Sequence, residues 1–178
     1  MEVFWTHGYE AASLSELLKQ MGIGKKSLYD TFGNKKSLFI KALDHYALTN
    51  AKKMRDRLLG SGSALENLKQ LLLEWQEMHS KPGSCGCMLG TNIADFTTDD
   101  TEIAQLLRNY LQQVEDLFCT VLTQAQAAGE ISSTIKPRDL ACLLVCTTQG
   151  MALVGRVMKD DVTLKGTVSS ALRLLERS

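Results

Sequence analysis

Apolar side chains recur at every third or fourth position from Ile103 to Ala125, and this stripe constrains the fold more than any other feature of the sequence. Such spacing places them on one face of a helix. Asp99 with Glu102 three residues later is typical of a helix N-terminus, and Gly129 is typical of the position just past a C-terminus. We therefore predict a long helix that packs on a core. The stripe comprises Ile103, Leu106, Leu107, Tyr110, Leu111, Val114, Leu117, Phe118, Val121, Leu122 and Ala125.

The same spacing runs through the rest of the chain, and no segment alternates as a half-buried strand would. Further helices are predicted over 65–78, from Pro137 to about Lys159, and over 164–175. We expect an all-α fold.

Charge is unevenly distributed, although the formal net charge is zero. Residues 1–57 carry 10 Lys and Arg against 6 Asp and Glu, a balance of +4, and residues 58–178 carry 10 against 14, a balance of −4. The basic N-terminal third is therefore the part expected to meet a polyanion.

The composition favours a cytoplasmic protein without a membrane partner. No run approaches the ~20 consecutive apolar residues of a membrane span, and the first residues lack a basic start followed by an apolar block. The five cysteines are an odd number, and three lie in predicted helices, so we expect reduced thiols rather than disulfides.

Residues 13–32 have the pattern of two short helices joined by a tight turn. Ser13 suits the N-cap of the first helix, Gly22 supplies a left-handed turn position, and the second helix begins near Lys25. Leu28 faces inward, and the opposite side is short, polar and cationic. Lys26 and Asp30 lie on that side, with Ser27 and Tyr29 on its flanks. Such a surface suits a major groove, but many ordinary helical hairpins share the geometry.

Residues 8–43 read GYEAASLSELLKQMGIGKKSLYDTFGNKKSLFIKAL. This segment closely resembles the DNA-binding domain of the tetracycline-repressor (TetR/AcrR) family of transcriptional regulators. The matching positions are Gly8, Tyr9, Gly22, Ile23, Leu28, Tyr29, Phe32 and Lys35.

The resemblance implies a three-helix DNA-binding domain over 1–45, followed by a larger helical ligand-binding and dimerisation domain over 46–178. Family members have further residues before the position of Met1. We therefore expect a shortened first helix, ending at residue 7, with Phe4 and Trp5 packing on the helix-turn-helix.

The resemblance also implies which side chains contact DNA. The expected phosphate contacts are Ser13, Tyr29 and Lys35, and the expected groove face is Lys25, Lys26, Ser27, Asp30 and Thr31. Hydroxyls, lysines and a helix N-terminus are suitable donors to phosphates and guanine edges. Asp30 has two interpretations: it accepts from a cytosine N4, or it pairs with Lys26 one turn earlier.

By the same resemblance, the last two helices form a four-helix bundle with those of a second copy, which makes a homodimer. Cys142, Cys146 and Gly150 are spaced by four, with Val154 and Gly155 nearby, and small residues permit close helix packing. Small residues equally mark a contact within one chain, so both interpretations stay open.

An effector pocket is expected among the helices that follow the DNA-binding domain. The candidate lining residues are Trp75, Met78, Met88, Phe96, Tyr110 and Met151, with His79, Asn92 and Gln149 as polar groups. Such apolar residues suit a small hydrophobic or aromatic effector. The alternative is that they belong to the core, where stripes of this kind usually lie.

The segment SCGCMLG, residues 84–90, carries the most reactive chemistry in the chain. Cys85 and Cys87 could serve as redox-sensing thiols, or pack as small apolar groups. Together with His79 they fall short of the four ligands of a closed zinc site, so we predict no metal. A remote alternative is a small enzyme using His79, Asp95 and Cys87, which no catalytic motif supports.

Together these features predict a dimeric, ligand-responsive regulator without catalytic residues or a cofactor. We expect a repressor that binds a palindromic duplex operator. Effector binding would change the separation of the two recognition helices, which must match major grooves about 34–36 Å apart.

Overall fold

The computed structural model describes residues 1–92, 101–158 and 161–175. Every regular element within these ranges is a helix, which confirms the all-α fold. The helices are α1 (Glu2–Ala11), α2 (Leu14–Met21), α3 (Lys25–Phe32), α4 (Lys35–Leu58), α5 (Ala64–Ser80), α6 (Met88–Asn92), α7 (Thr101–Ala127), α8 (Pro137–Met158) and α9 (Val162–Arg173).

Helices α2 and α3 form the predicted helix-turn-helix. The Ser13 Oγ atom accepts a hydrogen bond from the Glu16 backbone N–H at 3.2 Å. Gly22 follows α2 with a φ of 67°, a conformation that is costly for residues with a Cβ. Helix α3 begins at Lys25 and fully buries Leu28. Both helices therefore have the boundaries that their capping residues predict.

Helix α1 extends beyond its predicted end, although its regular geometry breaks at Gly8, where φ is 79° and ψ is 174°. Phe4 is buried as expected, and its ring centroid lies 5.0 Å from that of Phe39 on α4. Trp5 makes a contact that the sequence did not predict: its ring centroid lies 5.2 Å from that of Tyr46 on α4.

Helix α4 links the helix-turn-helix to the rest of the molecule. It packs on α3 near its start and on α5, α6 and α7 farther along. Because one unbroken helix takes part in both regions, a displacement of α4 would also move α3. Its buried residues are Leu38, Phe39, Leu43, Tyr46, Ala47, Met54 and Leu58.

Helix α8 packs against α5, α7 and α9. A Cβ added at Gly155 would lie 2.5 Å from the His79 backbone oxygen, so this glycine lets α8 approach α5 closely. Gly155 thus serves a contact within the chain. Gly150, five residues earlier, has open space around an added Cβ among the described residues.

Pro137–Met158 is long and apolar enough to cross a membrane by length and composition. Its Leu140, Leu144 and Met151 side chains are buried in the packed helices, which accounts for much of this hydropathy.

Candidate DNA-binding surface and effector cavity

The N-terminal end of α3 is polar and exposed. The residue at its N-cap, Gly24, supplies no side-chain hydrogen bond, so the first backbone N–H groups of the helix have no side-chain acceptor there. Tyr29 is 43% exposed, whereas Leu28 is fully buried on the opposite side. We call the exposed residues of α3 the recognition surface; they are Lys25, Lys26, Ser27, Tyr29, Asp30 and Thr31.

Two predicted phosphate contacts flank the recognition surface. Ser13 is exposed at the start of α2. Lys35, at the start of α4, holds its Nζ atom 4.7 Å from the Tyr9 ring centroid and donates to the Glu10 carbonyl at 3.3 Å. Lys35 therefore also ties α1 to α4, a role that the sequence did not indicate.

Asp30 is exposed on the recognition surface. Among the residues that the structure describes, neither Asp30 nor Lys26 takes part in an ion pair within 4.0 Å. The pairing of these two residues, one of the two interpretations of Asp30, is thus absent from this structure. The Asp30 carboxylate is therefore exposed and has no ion-pair partner among the described residues.

Several of the predicted pocket residues converge on one small space, which we call the inner cavity. Its volume is about 60 Å³. It is lined by Trp5, Tyr46, Asn50, Trp75, Met78, His79, Gly86, Cys87, Tyr110, Thr148, Gln149 and Ala152. The structure thus places Trp75, Met78, His79, Tyr110 and Gln149 around one cavity; their role in binding an effector stays a prediction.

Three other predicted pocket residues do not line the inner cavity: Met88, Asn92 and Met151 are buried elsewhere in the core. Phe96 lies outside the described residues. The lining residues that sequence reasoning did not assign to a pocket come mostly from α1, α4 and α8, which only the tertiary fold brings together.

A cluster of weakly acidic groups lies in one wall of the inner cavity. The Cys87 side chain is hydrogen-bonded with the hydroxyls of Tyr46 and Tyr110. Burial, followed by the neighbouring Cys87, raises the pKa of both tyrosines, so both phenols stay protonated at neutral pH. The Cys87 thiol is itself buried and lines the inner cavity.

Other polar groups of this region are incompletely paired. The Oε1 atom of Gln149 and the Oδ1 atom of Asn92 are buried without a hydrogen-bond partner among the described residues. The Nδ1 atom of His79 lies 3.3 Å from the Ser84 hydroxyl oxygen. Burial lowers the pKa of the His79 imidazole. The cavity therefore offers a neutral imidazole and, in Gln149, an unused acceptor.

A larger open space runs between α4 and α7, and we call it the outer groove. Its volume is about 480 Å³, within the usual range of small-molecule sites. It is lined by Ile40, Lys41, Asp44, Ala47, Leu48, Glu102, Gln105, Leu106, Asn109, Tyr110 and Gln113. Tyr110 lines both spaces and so forms part of the wall between them. The sequence did not predict this groove.

An exposed strip on α8 contains the predicted dimer residues. Cys142 and Cys146 are exposed, and Val154 is 38% exposed. The neighbouring Leu153 and Val157 are more exposed still, at 57% and 75%. We call this strip the α8 face. Apolar residues this exposed on a long helix are typical of a surface that another helix covers.

The described residues contain no group of three or more His, Cys, Asp or Glu side chains placed to hold a metal ion. His79 and Cys87 both line the inner cavity. Asp95, the third residue of the alternative enzyme site, lies outside the described residues.

Family models match almost the whole chain. Residues 1–42 match the model for bacterial regulatory proteins of the tetR family, and residues 46–170 match the tetracyclin repressor-like C-terminal domain. The HTH-type transcriptional repressor ComR of Escherichia coli is 32% identical over 176 residues, which cover 98% of this chain and 84% of ComR. The uncharacterized HTH-type transcriptional regulator YezE of Bacillus subtilis is 28% identical over 180 residues, covering 99% and 92%.

Solved structures have the same architecture. A cysteine mutant of the TetR family regulator CifR, in complex with 26-base-pair operator DNA, superposes with a TM-score of 0.83 at 29% identity, covering 96% of this chain and 90% of CifR. The reduced form of NemR from Escherichia coli superposes with a TM-score of 0.87 at 17% identity, covering 98% and 91%, and this match concerns the fold alone. These similarities extend through both the helix-turn-helix and the helices that enclose the inner cavity.

Proposed function

Because the chain belongs to the tetracycline-repressor (TetR) family of bacterial regulatory proteins, we propose that it is a dimeric repressor released from a palindromic operator by a small effector. Membership makes it a transcriptional regulator; the dimer, the direction of control and the effector are the parts proposed. In this proposal residues 1–45 bind DNA, residues 46–178 bind the effector and the second copy, and the protein acts in the cytoplasm.

One observation carries the proposal: the recognition surface is cationic at the N-terminal end of a helix whose other side is anchored by Leu28. Lys25 and Lys26 can donate to phosphates or to guanine O6 and N7, and the Tyr29 hydroxyl can donate to a phosphate. Rigid anchoring favours specific reading, since it fixes these donors relative to the groove.

The α8 face supports the dimer. Palindromic half-sites need two recognition surfaces related by a two-fold axis, about 34–36 Å apart. An exposed apolar strip containing Gly150, which has free space around it, fits the close approach of a second α8.

The two spaces that share Tyr110 support an effector site. At about 60 Å³ the inner cavity is too small for an aromatic effector; an apolar cavity known to bind benzene measures about 150 Å³. Rotation of Tyr110 would join the inner cavity to the outer groove. We therefore propose that a small hydrophobic or aromatic molecule enters from the groove and displaces this side chain.

Selection of bound duplexes from a randomised pool tests DNA binding. We expect the chain to enrich a palindrome with half-sites about one helical turn apart. Exchange of Lys25 and Lys26 for Ala should abolish enrichment. The matched control exchanges Lys52 and Lys53, exposed on α4, for Ala and should retain it. A lack of enrichment by the unmodified chain would refute the proposal.

Light scattering tests the dimer. Val154→Asp should give monomers that no longer bind the palindrome, because a carboxylate would be buried in the interface. Leu73→Asp, at a similarly exposed apolar position on α5, should remain dimeric. A dimeric Val154→Asp variant would exclude the α8 face as the interface.

A thiol-sensing regulator is the second candidate, and the contacts of Cys87 favour it. This thiol lines the inner cavity and is hydrogen-bonded with two phenols that could donate a proton to a leaving group. Operator affinity before and after dilute hydrogen peroxide, with the mass of the intact protein, tests the candidate. Peroxide-induced release of the operator that persists in Cys85→Ser but is lost in Cys87→Ser would support thiol sensing. A Cys87 that peroxide leaves unmodified would exclude it.

A further inference from the structure

We propose that Trp5 transmits the state of the inner cavity to the DNA-binding helices. Its indole forms part of the cavity wall and also donates a hydrogen bond from Nε1 to the Gly86 carbonyl at 2.9 Å. This inference rests on the proposed function, since it concerns how the occupied cavity changes operator binding.

Helix α1 faces two regions through consecutive residues. Phe4 is buried against Phe39 and belongs to the core that supports the helix-turn-helix. Trp5 lies edge-on to Tyr46 at 5.2 Å and reaches the segment just before α6. One residue farther on, the Thr6 hydroxyl lies 3.9 Å from the Cys85 sulfur. Helix α1 is thus a second connection between the two regions, beside the continuous α4.

The acceptor of the Trp5 hydrogen bond is held firmly in place. Gly86 has a φ of 70°, and an added Cβ would lie 2.5 Å from the Ala152 backbone oxygen on α8. The next residue, Cys87, is hydrogen-bonded with Tyr46 and other cavity groups. Gly86 therefore has little room to follow a displaced indole, and a group that fills the cavity would separate the two.

The inner cavity has too little volume to receive more than a very small molecule unless its wall moves. Tyr110 lines both the inner cavity and the outer groove, so its rotation would open the cavity toward the groove. Trp5 is the residue of α1 in the cavity wall. Displacing the indole breaks one hydrogen bond and one aromatic contact, and α1 is then free to shift with the helix-turn-helix that it supports.

A double-mutant cycle tests this coupling without knowledge of the effector. Ala152→Leu adds bulk to the cavity and imitates an occupant, and Trp5→Phe keeps an aromatic ring but removes the Nε1–H donor. We measure the affinity of each variant for the selected operator duplex. Ala152→Leu should lower affinity about tenfold in the unmodified chain, within the usual range of allosteric coupling. In the Trp5→Phe background it should lower affinity less than threefold.

Trp75 provides the matched control, because it lines the same cavity from α5 and the chain has only 2 tryptophans. In Trp75→Phe, the Ala152→Leu change should keep its full tenfold effect. Trp5 is then the sole tryptophan of a chain that also has 4 tyrosines, and its selectively excited emission should shift when Ala152→Leu is introduced. A residue with a purely structural role would give neither this shift nor the selective loss of coupling.

Equal effects of Ala152→Leu in the Trp5→Phe and unmodified chains would overturn the inference while leaving the proposed function intact. So would an Ala152→Leu variant that folds and binds the operator normally. If circular dichroism shows that Ala152→Leu is unfolded, Ala152→Val takes its place in the same cycle. Failure of the unmodified chain to bind any operator would instead overturn the proposed function, and this inference with it.

Discussion

The close contact between Gly86 and α8 predicts a large and specific effect of a single methyl group. Gly86→Ala combines two costs. A φ of 70° is unfavourable for alanine by about 1–2 kcal/mol. The new Cβ would also lie 2.5 Å from the Ala152 backbone oxygen and 3.0 Å from the Arg156 Cδ atom. Since the oxygen belongs to a packed helix, we expect a further 1–3 kcal/mol, roughly the cost of overpacking.

Two other glycines separate these costs. Gly83 has a φ of 82° and no heavy atom within 4 Å of an added Cβ, so Gly83→Ala should lose only about 1–2 kcal/mol. Gly155 has no left-handed φ, but its Cβ would lie 2.5 Å from the His79 backbone oxygen. Gly155→Ala should therefore show the steric cost alone, about 1–3 kcal/mol.

Urea unfolding at one fixed protein concentration measures all three variants, because a dimer has a concentration-dependent stability. Gly86→Ala should be the least stable, with a free energy of unfolding about 2–5 kcal/mol below that of the unmodified chain. This is a large share of the roughly 5–15 kcal/mol of a typical domain. A Gly86→Ala variant as stable as Gly83→Ala would refute the contact with α8.

Three further predictions follow from described contacts. Asp30→Ala should change the free energy of unfolding by no more than about 0.5 kcal/mol, since Asp30 forms no ion pair with any described residue. The same variant should change the preferred base at one position of each half-site. Burial lowers the pKa of His79, so near its ordinary pKa the unfolded chain binds a proton that the folded chain does not. The free energy of unfolding should therefore fall as the pH drops below about 6.5. His79→Gln should reduce this dependence of the free energy of unfolding on pH, measured between about pH 7.5 and 5.5. Gly166→Ala, in open space on α9, should raise the free energy of unfolding by up to about 1 kcal/mol. Gly150→Ala should instead weaken the proposed dimer, as measured by light scattering; equal stabilisation by both would argue against a partner at Gly150.

The helix-turn-helix was predictable because local chemistry determines it. Ser13 caps α2 through a bond to a residue three positions away, and Gly22 takes the turn conformation that its missing Cβ permits. The apolar spacing likewise predicted α7 and α8, since one-sided periodicity specifies a helix and its buried face. The DNA-contact positions remain predictions from family resemblance, although the structure leaves the α3 residues among them exposed.

The inner cavity was only partly predictable, because its wall combines residues far apart in the chain. Periodicity marks Met88 and Met151 as apolar and inward-facing, but it does not distinguish a core position from a cavity wall. Trp5 was expected to pack with the helix-turn-helix alone; its bond to Gly86 joins positions 81 residues apart, and no local pattern signals it. The pairing of Asp30 with Lys26 has suitable spacing, yet both side chains are exposed, where an ion pair gains little.

The contacts of two closely packed glycines and of Trp5 explain how a small cavity could influence a distant surface. Gly86 and Gly155 hold the cavity wall against α8 and α5 with little free space, so that region resists deformation. Toward α1 the wall is the Trp5 indole, which is held by a hydrogen bond to Gly86 and a ring contact with Tyr46, beside the contact of Thr6 with Cys85. A molecule that expands the cavity would therefore meet less resistance toward α1 than toward α8. Since α1 packs on α2, the first helix of the helix-turn-helix, we infer that the direction of least resistance is also the one that would alter DNA binding.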